Sequence, residues 1–179
     1  MVNRQSHLIV KARDGAATGQ LTCGNLTMPC ALGPAGLTDT KTEGDGKTPT
    51  GALRLVRLYY RADRLSPPQT GLPSFAISES DGWCDAPLDA AYNSAVTLPY
   101  AASHEKLWRD DHAYDLCIVL DYNLDPASPH KGSAIFFHLA KSDQEGLQPT
   151  EGCIAISQEN MRQVLALVDQ HSVLIVQRA

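Results

Sequence analysis

Apolar and polar positions alternate along this chain in short runs: His7 to Ala12, Gln20 to Cys23, Leu26 to Leu32, Ala52 to Tyr60, Ser74 to Ser78, Asp115 to Tyr122, Ser133 to Ala140, Gly152 to Ser157 and Ser172 to Gln177. Gly, Pro, Asn or Asp clusters separate most of them, so each run predicts a strand that stops where the backbone must turn. Many short strands predict a mainly β fold, a sandwich or barrel, with one or two short helices. Ser157 can cap a helix whose Met161, Val164, Leu165 and Val168 recur at the spacing of one buried stripe. Ser103 can start a shorter helix through Trp108. There are no internal repeats.

The stretch from Ser133 to Ser157 concentrates the candidate chemistry. Strict alternation sets Ala134, Phe136, His138 and Ala140 on one face of a strand and Ile135, Phe137 and Leu139 on the other. Cys153 follows a glycine and opens the next apolar run, at a strand mouth where backbone amides can converge. A free thiol has a pKa near 8.5, so only roughly a few per cent is thiolate at neutral pH, and an imidazole that takes its proton makes it a good nucleophile. The Gly152 and Cys153 amides would then hold the oxyanion of an acyl-transfer intermediate. Taken alone, the two residues read more simply as a satisfied core histidine and an inert buried thiol.

Two motifs shift that balance. The strand ending in His138, followed by a loop and Pro149-Thr150-Glu151-Gly152-Cys153-Ile154-Ala155, resembles the signature of the L,D-transpeptidase catalytic domain, also called the YkuD-like domain. Gly44-Asp45-Gly46-Lys47-Thr48-Pro49-Thr50-Gly51 resembles the Gly-Asp-Gly-x-Thr-Pro-x-Gly turn of that family. The resemblance runs from about Leu8 to Ile175, as one catalytic domain. It implies a YkuD-like β-sandwich or barrel, Cys153 as nucleophile, His138 as base, and the Leu139 main-chain carbonyl as the group that orients the imidazole. It also implies a peptidoglycan stem peptide as substrate, work in the periplasm or cell envelope, and hydrolysis as an L,D-carboxypeptidase if water replaces the acceptor amine.

The chain departs from the family pattern twice. Glu151 stands where the family usually has His, and Ala155 where it usually has Arg. Residues two apart on an extended segment face the same way, so Glu151, Cys153 and Ala155 should line one surface. A carboxylate there either raises the thiol pKa or receives a cationic substrate group. Without the Arg, the charge for a substrate carboxylate has to come from Lys141, Lys131, Arg109 or Lys47. Thr150 and Tyr114 join these as candidate substrate contacts, Tyr114 as part of an aromatic and polar stretch from Trp83 that would either cover a cleft or pack on the sheet.

Rival readings stay open. A sortase-like enzyme also presents His before Cys on a barrel, but its Thr-Leu-x-Thr-Cys approach is absent and only Arg178 lies beyond the last strand. A non-catalytic cell-wall-binding module on the same fold fits the two departures. Gly46-Lys47-Thr48 looks like the end of a phosphate-binding loop, yet Lys41 occupies the place of its first glycine and a strand follows where a helix should begin, so a nucleotide site is rejected. The loop from Gly33 to Gly51 reads as a surface turn or as a lip of the cleft.

Composition narrows the rest. At 179 residues and 43% hydrophobic, the chain suits one soluble domain with a full core. A net charge of −5, with no basic run interleaved with aromatics, argues against nucleic acid. Leu8-Ile9-Val10 is far shorter than the roughly 7 to 15 residues of a signal-peptide core, and no stretch approaches a membrane span, so cytoplasmic placement remains open beside the envelope. Five cysteines include Cys23 and Cys30, which flank a turn at Gly24-Asn25 and could pair across a hairpin. No spacing gives a zinc ligand set, no cofactor is expected, and the sequence does not fix an oligomeric state.

Overall fold

The computed structural model describes residues 4–179; the polar start at Met1, Val2 and Asn3 lies outside them. The fold is mainly β, 39% strand against 6% helix. In chain order the strands are β1 (His7–Ala12), β2 (Thr18–Cys23), β3 (Leu26–Ala31), β4 (Leu37–Thr38), β5 (Thr48–Pro49), β6 (Gly51–Tyr60), β7 (Ser74–Ala76), β8 (Asp81–Cys84), β9 (Ala95–Thr97) and β10 (His104–Lys106). They continue with β11 (Leu116–Leu120), β12 (Phe136–Leu139), β13 (Ser142–Asp143), β14 (Gly146–Leu147) and β15 (Ile154–Ile156), then helix α1 (Gln158–Leu167) and β16 (Val173–Arg178).

The main sheet runs β11-β12-β15-β3-β2-β1-β16-β6-β7, and β6 also pairs with β11. That last pairing closes the sheet into a barrel. The first half of β6 pairs with β16 and the second with β7, while β11 takes its other edge from Leu55 to Tyr60. Most neighbours are antiparallel, but β1 runs parallel to β16, and β12 parallel to β15. The parallel β12–β15 pair needs the long connection between them, and that connection is one wall of the site.

Alternation divides the apolar residues between two cores. Leu116, Ile118 and Leu120 of β11 and Phe137 and Leu139 of β12 join Leu8, Val10, Leu21, Leu55 and Leu174 in the first. Cys117, Val119, Ala134 and Phe136, from the opposite face, pack with Trp83, Leu107, Tyr114 and Cys153 in a second. The Phe136 ring meets Trp83 edge-on at 5.2 Å and Tyr114 at 5.8 Å. Burying each such side chain stabilises the fold by about 1.5–3 kcal/mol, so β12 is clamped from both sides.

Helix α1 matches the expected capping. Ser157 Oγ accepts from the Asn160 N–H at 3.3 Å, and Met161, Val164 and Leu165 lie buried on the first core. The second expected helix does not form. Ser103 to Trp108 contributes strand β10, with Glu105 opposite Trp83 of β8, because the ladder satisfies backbone groups that one isolated helical turn could not. The Cys23–Cys30 pairing fails on register: Cys23 faces Leu26 and Cys30 faces Gly19, and both are free and buried. Among the described residues, no helix is long and apolar enough to cross a membrane.

Candidate active site

His138 reaches the second core because β12 alternates, and its partners fix both the ring and the tautomer. Nδ1 lies 2.9 Å from the Leu139 carbonyl oxygen, which can only accept, so Nδ1 carries the hydrogen and Nε2 keeps its lone pair. Tyr114 stands edge-on to the imidazole at 5.2 Å. Burial pushes the His138 pKa down to about 4, while the Leu139 bond works in the opposite direction. The ring is therefore a neutral acceptor across the physiological range.

Cys153 stands immediately before β15. Its strand neighbour Ala155 pairs with His138, so the thiol lies on the same face, one step diagonally from the imidazole. Sγ donates to the Ala134 carbonyl at 3.1 Å and accepts from the Phe136 N–H at 3.3 Å. Burial pushes its pKa up to about 12, Glu105 adds to the rise, and the Phe136 N–H and Lys41 oppose it. Although buried, Cys153 and His138 keep 7% and 8% exposure, enough to line an open cavity rather than a sealed one.

Ala134 is held with φ of 51°, a left-handed conformation uncommon for alanine. Asn93 maintains it. The buried Asn93 Oδ1 accepts from the Ala134 N–H and from Trp83 Nε1, both at 3.0 Å, while Nδ2 donates to the Tyr122 and Asn123 carbonyls. The carbonyl that receives the thiol hydrogen is thus aimed by a network outside the cleft.

On the cysteine side, Thr150 Oγ1 donates to the Cys153 carbonyl at 2.7 Å and accepts the Gly152 N–H at 3.1 Å. Gly152 has φ of 136°, and a Cβ there would sit 2.7 Å from the Lys47 carbonyl, so only glycine fits. Of the two amides expected to converge, that of Gly152 is engaged; that of Cys153 has no acceptor among the described residues.

Two lobes flank Cys153, of about 290 and 240 Å³, sharing Asp85, Glu105, Thr150, Glu151 and Cys153. Together they approach the size of a site for a short peptide. The first lobe holds His138, Tyr114, Arg109, Lys141 and Ala155; the second holds Lys41, Glu43, Gly44, Gly46 and Ser133. Glu151, Cys153 and Ala155 do share one surface, and the glycine-rich loop does form a lip. Arg109 and Lys141 reach the first lobe, where Asp111 holds both at its rim. Lys131 and Lys47 line neither lobe. Trp83 packs in the second core and Trp108 lies 3.6 Å beneath the Arg61 guanidinium, so the aromatic stretch both buries and lines. Arg178 closes β16 in ion pairs with Asp14 and Asp39, away from either lobe.

Sequence reasoning missed Lys41, Asp85 and Glu105. Lys41 Nζ is bonded to Asp45, four residues on, a spacing visible in the sequence. Asp85 Oδ1 is buried without a hydrogen-bond partner among the described residues. Burial raises the Glu105 pKa, against a 2.5 Å hydrogen bond from Tyr114 that lowers it. No sequence signal links Asp85 to Glu105; the β8–β10 ladder brings them together.

The chain thus falls in the class of closed β-barrels that present a histidine and a cysteine in one cleft outside the barrel core, here His138 on β12 and Cys153 at the mouth of β15. The chain belongs to the YkuD family, described as the L,D-transpeptidase catalytic domain, whose match spans residues 1–176. No curated protein matches it. Members of the family are L,D-transpeptidases, which associates the chain with peptidoglycan peptides and the cell envelope.

Proposed function

We propose that this chain catalyses cysteine-dependent acyl transfer on peptidoglycan stem peptides in the cell envelope, with residues 1–179 acting as one catalytic unit. Cys153 attacks the carbonyl of the acyl donor and His138 Nε2 takes the thiol hydrogen and delivers it to the leaving amine; a second, neutral amine then attacks the thioester, the C–S bond breaks, and the amine's proton returns through His138 to Sγ. The observation that supports this most is the locked tautomer of His138, which lines the same lobe as Cys153: the Leu139 bond takes the Nδ1 hydrogen and leaves Nε2 with its lone pair. The Phe136 N–H is ready to hold the developing thiolate.

The cleft also favours an amine as acceptor. Asp85, Glu105 and Glu151 place three carboxyl groups around the thiol, a setting that attracts an acceptor arriving as an ammonium, which must give up a proton before its neutral amine attacks, and that disfavours an anionic acceptor. Arg109 and Lys141 at the rim of the His138 lobe suit the carboxylate of the departing residue. Intact mass after incubation with a carbapenem, and separately with stem tetrapeptide, tests the reading. A single adduct lost in Cys153→Ala is expected, together with a cross-linked peptide product. An unmodified Cys153, under conditions that acylate an active family member, overturns it.

A further inference from the structure

We propose that Lys41 is a further catalytic residue: its ammonium, held by Asp45 against Gly152, donates to the oxyanion formed when Cys153 is acylated. This rests on the acyl-transfer reading above. In that step the Sγ–C bond forms, the carbonyl π pair moves onto oxygen, and the thiol proton passes to His138; on collapse the C–N bond breaks and the amine leaves with that proton. Lys41 contributes hydrogen bonds and charge and keeps its own protons.

Three observations carry the assignment. An oxyanion pocket needs convergent donors, and the Gly152 N–H that would pair with that of Cys153 is already given to Thr150 Oγ1. Lys41 Nζ takes the adjoining space, 3.2 Å from where a Gly152 Cβ would stand, and lines the second lobe together with Cys153. Its side chain is 3% exposed, and of its three donors Asp45 accepts one, with no other protein acceptor among the described residues. The remaining donors are free to meet an anion in the cleft. The turn is built to hold that position: Asp45 also accepts from the Thr42 and Lys47 N–H groups, both at 2.9 Å.

A purely structural Lys41 would only clamp this turn, and the two roles separate by measurement. Carbapenem acylation of Cys153 passes through an oxyanion; alkylation by iodoacetamide does not. Lys41→Met should slow acylation by roughly 100-fold or more, the scale of losing one oxyanion donor, and alkylation by less than about tenfold, the smaller effect of one lost charge on the thiol. Asp45→Asn, which loosens the clamp and keeps the ammonium, should retain most acylation. If Lys41→Met disturbs folding, the neutral pair Lys41→Met with Asp45→Asn removes the unpaired carboxylate and should show the same selective loss. Equal losses in both reactions, or equal effects of Lys41→Met and Asp45→Asn, overturn the proposal. Wild-type protein that is alkylated at Cys153 but never acylated overturns the acyl-transfer reading itself, and Lys41 falls with it.

Discussion

At neutral pH the candidate pair should rest uncharged, as thiol and imidazole. Burial pushes Cys153 up to about 12 and His138 down to about 4. Moving the proton from sulfur to ring therefore climbs a gap of about eight pH units, on the order of 10 kcal/mol at about 1.36 kcal/mol per unit. Attraction between the new charges returns at most roughly 4 kcal/mol, the value for charges as close as about 4 Å in an effective dielectric near 20. Several kcal/mol remain, so well under about one molecule in a hundred holds the ion pair at rest, and proton transfer has to accompany attack on the substrate. The assay is the far-ultraviolet thiolate absorbance of wild type minus Cys153→Ala, followed from about pH 5 to 9, where a thiol of ordinary pKa begins to ionise. The other thiols do not interfere, because burial raises Cys23 to about 11 and Cys30 to about 12 and also raises Cys84 and Cys117. No difference band should emerge, and iodoacetamide alkylation should climb about tenfold per pH unit without a plateau. A thiolate band already present near neutral pH and lost with Cys153 would refute this account of the desolvated cleft.

Acid should destabilise the fold through His138. Its folded pKa of about 4 lies below the ordinary 6.5, so the unfolded chain binds more protons between those values and stability falls as pH drops through that window, by about 3 kcal/mol in full. Urea titrations at several pH values should show this slope, and His138→Asn should flatten it; an unchanged slope counts against burial as the cause. Asn93→Leu strips four hydrogen bonds and strands the buried Trp83 and Ala134 N–H groups, so it should cost about 3 kcal/mol or more, and it should slow acylation as the Ala134 carbonyl relaxes. Stability within about 1 kcal/mol of wild type would mean the network is not tight. Glu105→Gln removes the carboxylate that most raises the thiol after burial itself, so alkylation of Cys153 at fixed pH should quicken; slower alkylation would show that Glu105 acts through packing instead.

What the sequence made legible was alternation and punctuation. The run from Ser133 to Ala140 places Phe137 and Leu139 in one core and Ala134 and Phe136 in the other, as period two requires. Ser157 and its following stripe were readable because cap and periodicity agree. Ser103 to Trp108 misled because Glu105, Lys106 and Leu107 favour helices, and only tertiary pairing with β8 overrides them. Lys41 and Glu43 look like a solvated turn in a polar loop. Lys41 is buried because the loop folds back onto Gly132 and Gly152, where glycines leave room for the lysine stem and head. Contacts between segments about a hundred residues apart leave no mark on local periodicity.

The placement of the cleft follows from β12 serving two cores. If Cys153 and His138 faced the barrel interior, they would sit among Leu, Ile and Phe side chains, without carbonyl or amide partners and without an entrance. Facing the second core, they are desolvated enough to stay neutral at rest, yet three elements outside the barrel supply what the strands cannot. The β8–β10 layer brings Asp85 and Glu105, the bend at Ala134 turns a carbonyl toward sulfur, and the turn from Lys41 to Lys47 delivers the cation. On the proposed acyl-transfer reading, a substrate carbonyl entering that space would displace water from groups already held in position, so charge developing on its oxygen would meet fixed donors rather than reorienting solvent. The same arrangement answers the missing arginine: with Ala155 small and apolar, positive charge arrives from Lys41 on one side of Cys153 and from Arg109 and Lys141 on the other. The barrel therefore supplies rigidity, and the loops packed on its outer face supply the charge pattern on which selectivity for a substrate depends.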